Sequence, residues 1–219
     1  MSYNSHHATK SPHLTRVRRL AGFNRKSNKS LVTLICTRGK QGGTHPSQDL
    51  EEWSKFFKPE NTHAINKDWR MRSDVAKYHP GVQFYEYDAV RLMSILAGEH
   101  TYGTETRKPV IGMYYLDLMC TFETLRYGGY NGNNGHYMRS FFKRAELGTV
   151  IIINCCIYAG RRNAGELSDV PEEKQEDIIQ RFKNTFADVL GNWEYVGKDF
   201  YQSASKVRTP MMSIIFRRK

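Results

Sequence analysis

Residues 31–219 predict an α/β domain: a mostly parallel sheet held between two helical layers, closed by a C-terminal antiparallel β-hairpin. Three observations carry this. Short, nearly continuous apolar runs alternate with helical segments, and a strand that is apolar along its whole length is one covered on both faces of a sheet. The chain, 219 residues long, suffices for one such core. The last two apolar runs are separated by only about six residues, too few for a helical crossover, so they must pair antiparallel.

The elements follow in order. Leu31 to Cys36 is the first strand, apolar and partly β-branched, followed by the glycine-rich turn Arg38 to His45. Pro46 and Ser47 then start a helix whose acids Asp49, Glu51 and Glu52 suit its first turns and whose Leu50, Trp53 and Phe57 share a face. Thr62–Asn66 is a strand, a basic helical stretch runs through Val75, Val82–Tyr87 is a third strand, and Ala89–Leu96 is a helix striped by Val90, Met93 and Leu96. Val110–Leu116 is the fourth strand. Cys120–Arg126 and His136–Leu147 are helical, with the glycine-rich surface loop 127–136 between them. Thr149–Tyr158 is the fifth strand. Pro171 opens the longest amphipathic helix, with early acids and with Ile178, Ile179, Phe182, Phe186, Val189 and Leu190 on one side, closed by Gly191. Trp193–Ser203 and Pro210–Arg217 form the hairpin.

Charge divides the chain. Residues 1–48 carry nine Lys or Arg and no acid, whereas the rest is nearly balanced. Residues 1–30 are therefore expected to be a basic, mobile N-terminal arm, with Lys10, Arg16, Arg18, Arg19, Arg25, Lys26 and Lys29 contacting phosphates. Leu14, Val17, Leu20 and Phe23 recur at helical spacing, so 13–23 is expected to form a short basic helix that docks on something. Anionic lipid or an acidic protein would attract the same charge. No apolar run is long enough for a membrane span, and the first residues lack the apolar core of a secretory signal. The expected location is intracellular, cytoplasm or nucleus, with a virion interior an open alternative. Cys36, Cys120, Cys155 and Cys156 offer neither a disulfide framework nor a zinc pattern, and Cys155 and Cys156 face opposite sides of one strand. No metal is assigned, His6, His7 and His13 being read as part of the polar arm.

Five β-α steps ending in a β-hairpin resemble the class I S-adenosylmethionine-dependent methyltransferase fold, a Rossmann-like architecture, over residues 30–219. The resemblance implies a set of sites. Gly39, Gly42 and Gly43 after the first strand would approach the methionine carboxylate, although the family's acidic-x-Gly-x-Gly pattern is absent and Arg38 and Lys40 intrude. Asn66 or Asp68, at the end of the second strand, would meet the ribose hydroxyls, and Asp88, in Tyr85-Glu-Tyr-Asp-Ala89, the adenine amino group. Capping the following helix is the structural alternative for Asp68 and Asp88. Asp117 ends the apolar fourth strand where the family has its catalytic edge. The Asp/Asn-Pro-Pro-aromatic sequence of amino-group methyltransferases is absent, as is the proline-adjacent cysteine of cytosine-C5 enzymes. Of the Lys-Asp-Lys-Glu set of ribose 2′-O enzymes, Lys29 and Asp117 would supply two members. Arg161 and Arg162, beyond the fifth strand, would add a phosphate contact at the same rim.

The expectation from these residues is an S-adenosylmethionine-dependent methyltransferase-like protein acting on nucleic acid, RNA ahead of DNA. The alternative is a catalytically inactive nucleic-acid-binding or structural protein on the same scaffold, because fold alone does not guarantee activity. A nucleotide-binding enzyme of another Rossmann-like kind is disfavoured by the absence of a G-x-x-x-x-G-K-[ST] element.

Overall fold

The computed structural model describes residues 3–35, 48–95, 97, 110–127, 134–157, 170–202 and 210–219. The elements are α1 (Tyr3–Leu20), β1 (Ser30–Leu34), α2 (Gln48–Ser54), β2 (Thr62–Asn66), α3 (Met71–Tyr78), β3 (Gln83–Glu86), α4 (Ala89–Ser94), β4 (Ile111–Thr121), α5 (Phe122–Tyr127), α6 (Asn134–Arg144), β5 (Val150–Cys156), α7 (Glu172–Thr185), α8 (Ala187–Leu190), β6 (Trp193–Gln202) and β7 (Pro210–Arg218). They build one seven-stranded sheet in the order β3-β2-β1-β4-β5-β7-β6. The first five strands are mutually parallel, and β7 enters antiparallel between β5 and the edge strand β6. The expected fold class and hairpin are both present.

Alternation along each strand divides the core into two layers. Tyr114 and Leu116, Ile151 and Ile153, and Ile214 and Phe216 face α4 to α8, in a cluster rich in aromatic rings that includes Phe141, Phe142, Phe182 and Phe186. Met113 and Tyr115, Val150 and Ile152, and Ile215 face the other way, onto α1 and α2. Ile35 and Ala64 continue that second layer beneath Leu50 of α2 and Met71 and Val75 of α3.

Three elements differ from expectation for local reasons. The fourth strand runs on to Thr121 because it is shifted in register between Asp117 and Thr121, and Thr121 Oγ1 accepts from Thr124 N at 3.1 Å, so α5 starts only at Phe122. The long C-terminal helix breaks at Phe186. There Arg139 Nη2 donates to Thr185 O at 2.8 Å, holding that carbonyl from outside, and the fully buried Phe186 ring packs on Phe142 and Phe182.

The basic helix expected over 13–23 is present, and the surface on which it docks is the domain's own sheet. Residues 3–20 are helical, and Leu14, Val17 and Ala21 are buried against the sheet. Apolar residues at this spacing must be covered, and β6 and β7 with α2 present the face that covers them. Leu14 to Ala21 thus belong to a layer of the domain.

Candidate cofactor edge and a polar row

In an open parallel sheet, ligands bind outside the carboxyl ends of the strands. Here that edge gathers Asn66, Asp68, Asp88 and Asp117. Gly39, Gly42, Gly43, Arg161 and Arg162, expected to complete it, lie outside the described residues.

Asp88 caps α4: its Oδ1 accepts from Val90 N and Arg91 N, both at 3.1 Å. Oδ2 lies 2.9 Å from Lys67 Nζ. Because the Lys67 side chain is 66% exposed, it is an exchangeable partner, and the capping reading and a ligand-binding reading hold together. Asn66 is spent differently. Its buried amide donates to Ile35 O at 2.6 Å and accepts from Asp68 N at 2.7 Å, strapping the end of β1 to the loop that leads into α3. Asp68 is gripped by Arg70 through Nε at 2.7 Å and Nη2 at 2.8 Å, and that guanidinium holds its carboxyl below the ordinary value. Neighbouring Trp69 is 66% exposed. At this edge Asp88 thus keeps one oxygen on an exposed lysine, whereas both ends of the Asn66 amide are engaged within the chain.

Asp117 is buried, and it opens a row of polar side chains that crosses the sheet. Its Oδ1 accepts from Asn154 Nδ2 at 2.7 Å. Asn154 Nδ2 also donates to Tyr201 Oη at 3.1 Å, and Asn154 Oδ1 accepts from Ser213 Oγ at 3.3 Å. Ser213 meets His13 Nε2 at 3.3 Å, and His13 Nδ1 meets Asp199 Oδ2 at 2.6 Å. Arg16 finishes the row with a two-pronged contact to Asp199 at 2.7 and 3.0 Å. The strands supply it by register: Asp117 opposes Asn154, Asn154 opposes Ser213, and Ser213 opposes Asp199. His13 is fully buried and stacks on Tyr201 at 4.1 Å. Burial alone would raise the Asp199 carboxyl, and the hydrogen bonds from His13 and Arg16 more than offset this, so it ionises below its ordinary value.

The sequence reading missed Asn154, Ser213, Asp199 and Tyr201, and placed His13 in the polar arm. A signal was present: Asn154 and Ser213 each interrupt an otherwise apolar strand, and a buried amide or hydroxyl must find a partner. Lys29, by contrast, was paired with Asp117 and is not beside it. Lys29 precedes β1 at the amino-terminal edge, where Ser30 aligns with Ile111. Asp117 lies six residues further along β4, about 20 Å away at ~3.3 Å per residue.

The other arm cations are dispersed. Lys10 lies within α1. Arg18 is buried, its guanidinium 3.7 Å from the centre of the Phe56 ring and hydrogen-bonded to Phe23 O. Arg19, Arg25, Lys26 and Lys29 are exposed. Among the described residues no cluster of three or more His, Cys, Asp or Glu is placed to hold a metal ion, and no helix is long and apolar enough to cross a membrane.

No protein-family model matches the sequence, and no curated protein does. Solved structures do match. An O-methyltransferase from Bacillus cereus, solved in complex with SAH, aligns with a TM-score of 0.53 at 10% identity, covering 100% of this chain and 82% of that one. A putative hemolysin from Lactococcus lactis aligns at 0.53 and 12% identity, over 95% and 87% of the two chains. The N-methyltransferase NodS from Bradyrhizobium japonicum WM9 aligns at 0.51 and 11% identity, over 95% and 96%. At such identities the likeness concerns architecture, and its content is that this chain has the class I fold of S-adenosylmethionine-dependent methyltransferases.

Proposed function

We propose that the chain is an S-adenosylmethionine-dependent methyltransferase acting on nucleic acid, RNA ahead of DNA. The observation that carries the reading is Asp88, a carboxylate at the end of β3 with one oxygen spent on the helix cap and the other held by an exposed, exchangeable lysine. Bound there, S-adenosylmethionine would supply an electrophilic methyl group. The chain's own residues would orient it: Asp88 at the adenine, Asp68 and the 39–43 glycines along the remainder, and Asp117 at the acceptor side. Exposed Trp69, between Asp68 and Arg70 on this rim, supports a nucleic-acid substrate, because an aromatic face beside cations suits a base and its phosphate.

Calorimetric titration with S-adenosylmethionine and its demethylated product tests the first half. Wild-type protein is expected to bind, and Asp88→Ala to bind about five- to thirty-fold more weakly for the loss of one hydrogen bond. Asp88→Asn separates the two jobs, since asparagine also caps a helix but presents a donor where adenine needs an acceptor: stability should be kept and affinity lost. Transfer of labelled methyl to RNA or DNA tests the second half. No binding at millimolar cofactor would remove the enzyme reading.

A second reading, a catalytically inactive nucleic-acid-binding scaffold, is favoured by one observation: Asn154 covers an oxygen of Asp117 within a buried network. Cofactor binding without methyl transfer to any nucleic acid would select it.

A further inference from the structure

Among the described residues, positive charge collects at the end of the sheet opposite the cofactor edge. Lys29 enters β1 there, and its Nζ stands 3.6 Å from where a Cβ on Gly148 would sit. Gly148 N donates to Arg218 O at 2.9 Å, Arg217 Nη2 donates to Ala21 O at 3.3 Å, and Lys219 N donates to Asn192 O at 2.9 Å. The ends of β7 and α1 and the start of β1 therefore converge. Arg19, in the last turn of α1, and Arg25 and Lys26, in the segment leading to β1, are exposed. Glu60, Glu146 and Glu194 are exposed acids at the same end of the sheet, and Glu194 lies opposite Arg217.

These cations contrast with those elsewhere in the N-terminal segment. Arg16 is neutralised by Asp199 and Arg18 is packed on Phe56. Arg19, Arg25, Lys26, Lys29, Arg218 and Lys219 make no ion pair among the described residues. The buried Nε of Arg218 has no hydrogen-bond acceptor either. A cluster of like charges on closely packed chain ends destabilises the fold through self-repulsion unless a polyanion neutralises it.

We infer that this amino-terminal edge of the sheet is a docking surface for the phosphodiester backbone of a nucleic acid. The inference deepens the nucleic-acid reading above and relocates its phosphate contact from a mobile arm to a rigid edge remote from the cofactor. Arginine is prominent among the cations, and its planar fork suits phosphate oxygens. An anionic bilayer is disfavoured because the apolar stripe of α1, Leu14, Val17 and Ala21, is buried against the sheet, which leaves only the scattered side chains of Leu20, Val110 and Leu147 exposed near this edge. A strand touching both this edge and Asp117 must span at least about 20 Å, or about six nucleotides at ~3.4 Å each.

The test is fluorescence anisotropy with a labelled 20-nucleotide RNA and a 20-base-pair DNA duplex over a range of salt, using the full chain. The triple variant Arg25→Gln, Lys26→Gln, Lys219→Gln changes only exposed side chains. It is expected to lower the salt slope by about two and affinity at low salt at least tenfold, since each phosphate no longer neutralised takes ~0.7–0.9 from the slope. A second variant, Lys29→Gln with Arg218→Gln, should act in the same direction. Lys174→Gln with Arg181→Gln, on α7, removes comparable charge elsewhere and should leave the slope unchanged. Wild-type slopes in both edge variants, or equal losses in the α7 variant, would overturn the inference. So would edge variants that lose only their affinity for phosphatidylserine vesicles, which would identify a lipid surface instead. S-adenosylmethionine titrations on the same proteins keep the two readings apart: a wild-type protein that binds no cofactor ends the enzyme reading, whereas unchanged nucleic-acid binding in the edge variants ends this one.

Discussion

Replacing Asn154 by leucine, a side chain of similar volume, isolates the polar row. The wild-type amide is fully buried and makes three hydrogen bonds, to Asp117, Tyr201 and Ser213. The bond to the carboxylate is the strong one, worth about 1.5–3 kcal/mol, and its loss also leaves a buried oxygen of Asp117 without that donor. The neutral bonds add about 1 kcal/mol together, so the expected loss is about 3 kcal/mol. For a chain of this length, ~2–4 °C per kcal/mol translates this into a melting temperature about 6–12 °C lower. Urea unfolding followed by the fluorescence of the three tryptophans measures it. The decisive arm is the double-mutant cycle with Asp117→Leu. If the two side chains are coupled as their 2.7 Å contact requires, the double variant should be more stable than the sum of the singles by at least about 1 kcal/mol. Additivity within about 0.5 kcal/mol, or a single-variant loss below about 1 kcal/mol, would refute the reasoning.

Other expectations follow from the same geometry. His63 is buried with its pKa pushed down to about 4 by desolvation; the unfolded chain takes up the proton first, so stability present above pH ~6.5 should erode by roughly 3 kcal/mol as pH falls to 4, and His63→Gln should flatten that slope in pH-dependent urea titrations. The depressed Asp199 carboxyl adds a second loss that begins only below about pH 4 and disappears in Asp199→Asn. Removing residues 3–22 strips Leu14, Val17 and Ala21 from the core, a loss of about 5 kcal/mol at ~1.5–3 per large side chain; a folded truncation with unchanged melting temperature would contradict the packed helix. A Cβ at Gly112 would stand 2.7 Å from Lys29 Cβ and 2.9 Å from its Cδ, so Gly112→Ala should cost about 1–3 kcal/mol in the same unfolding assay.

The sheet was legible in the sequence because each parallel strand is written as an apolar run, and burial on both faces leaves little else to read. Boundaries strayed where a single tertiary contact decides them, as with Thr121 capping α5 and Arg139 capturing the Thr185 carbonyl. Asp88 could be read as a cap or a ligand, and its two oxygens show why the sequence could not separate them. The helix over 13–23 was legible in the spacing of Leu14, Val17, Leu20 and Phe23, whereas the surface it packs on, built from strands far along the chain, was not. Least legible was the row from Asp117 to Arg16: its members are far apart in sequence, and only strand register and the docking of α1 bring them together.

That row also has a consequence for biosynthesis. His13 waits for Asp199 and Ser213, which leave the ribosome about 200 residues later, and at ~5–20 residues per second the interval is about 10–40 s. Throughout it, α1 has only α2 and the earlier strands of the sheet on which to bury Leu14 and Val17. The docking of α1 is thus completed only when β6 and β7 arrive, because β6 supplies Asp199 and β7 supplies Ser213 and Ile215.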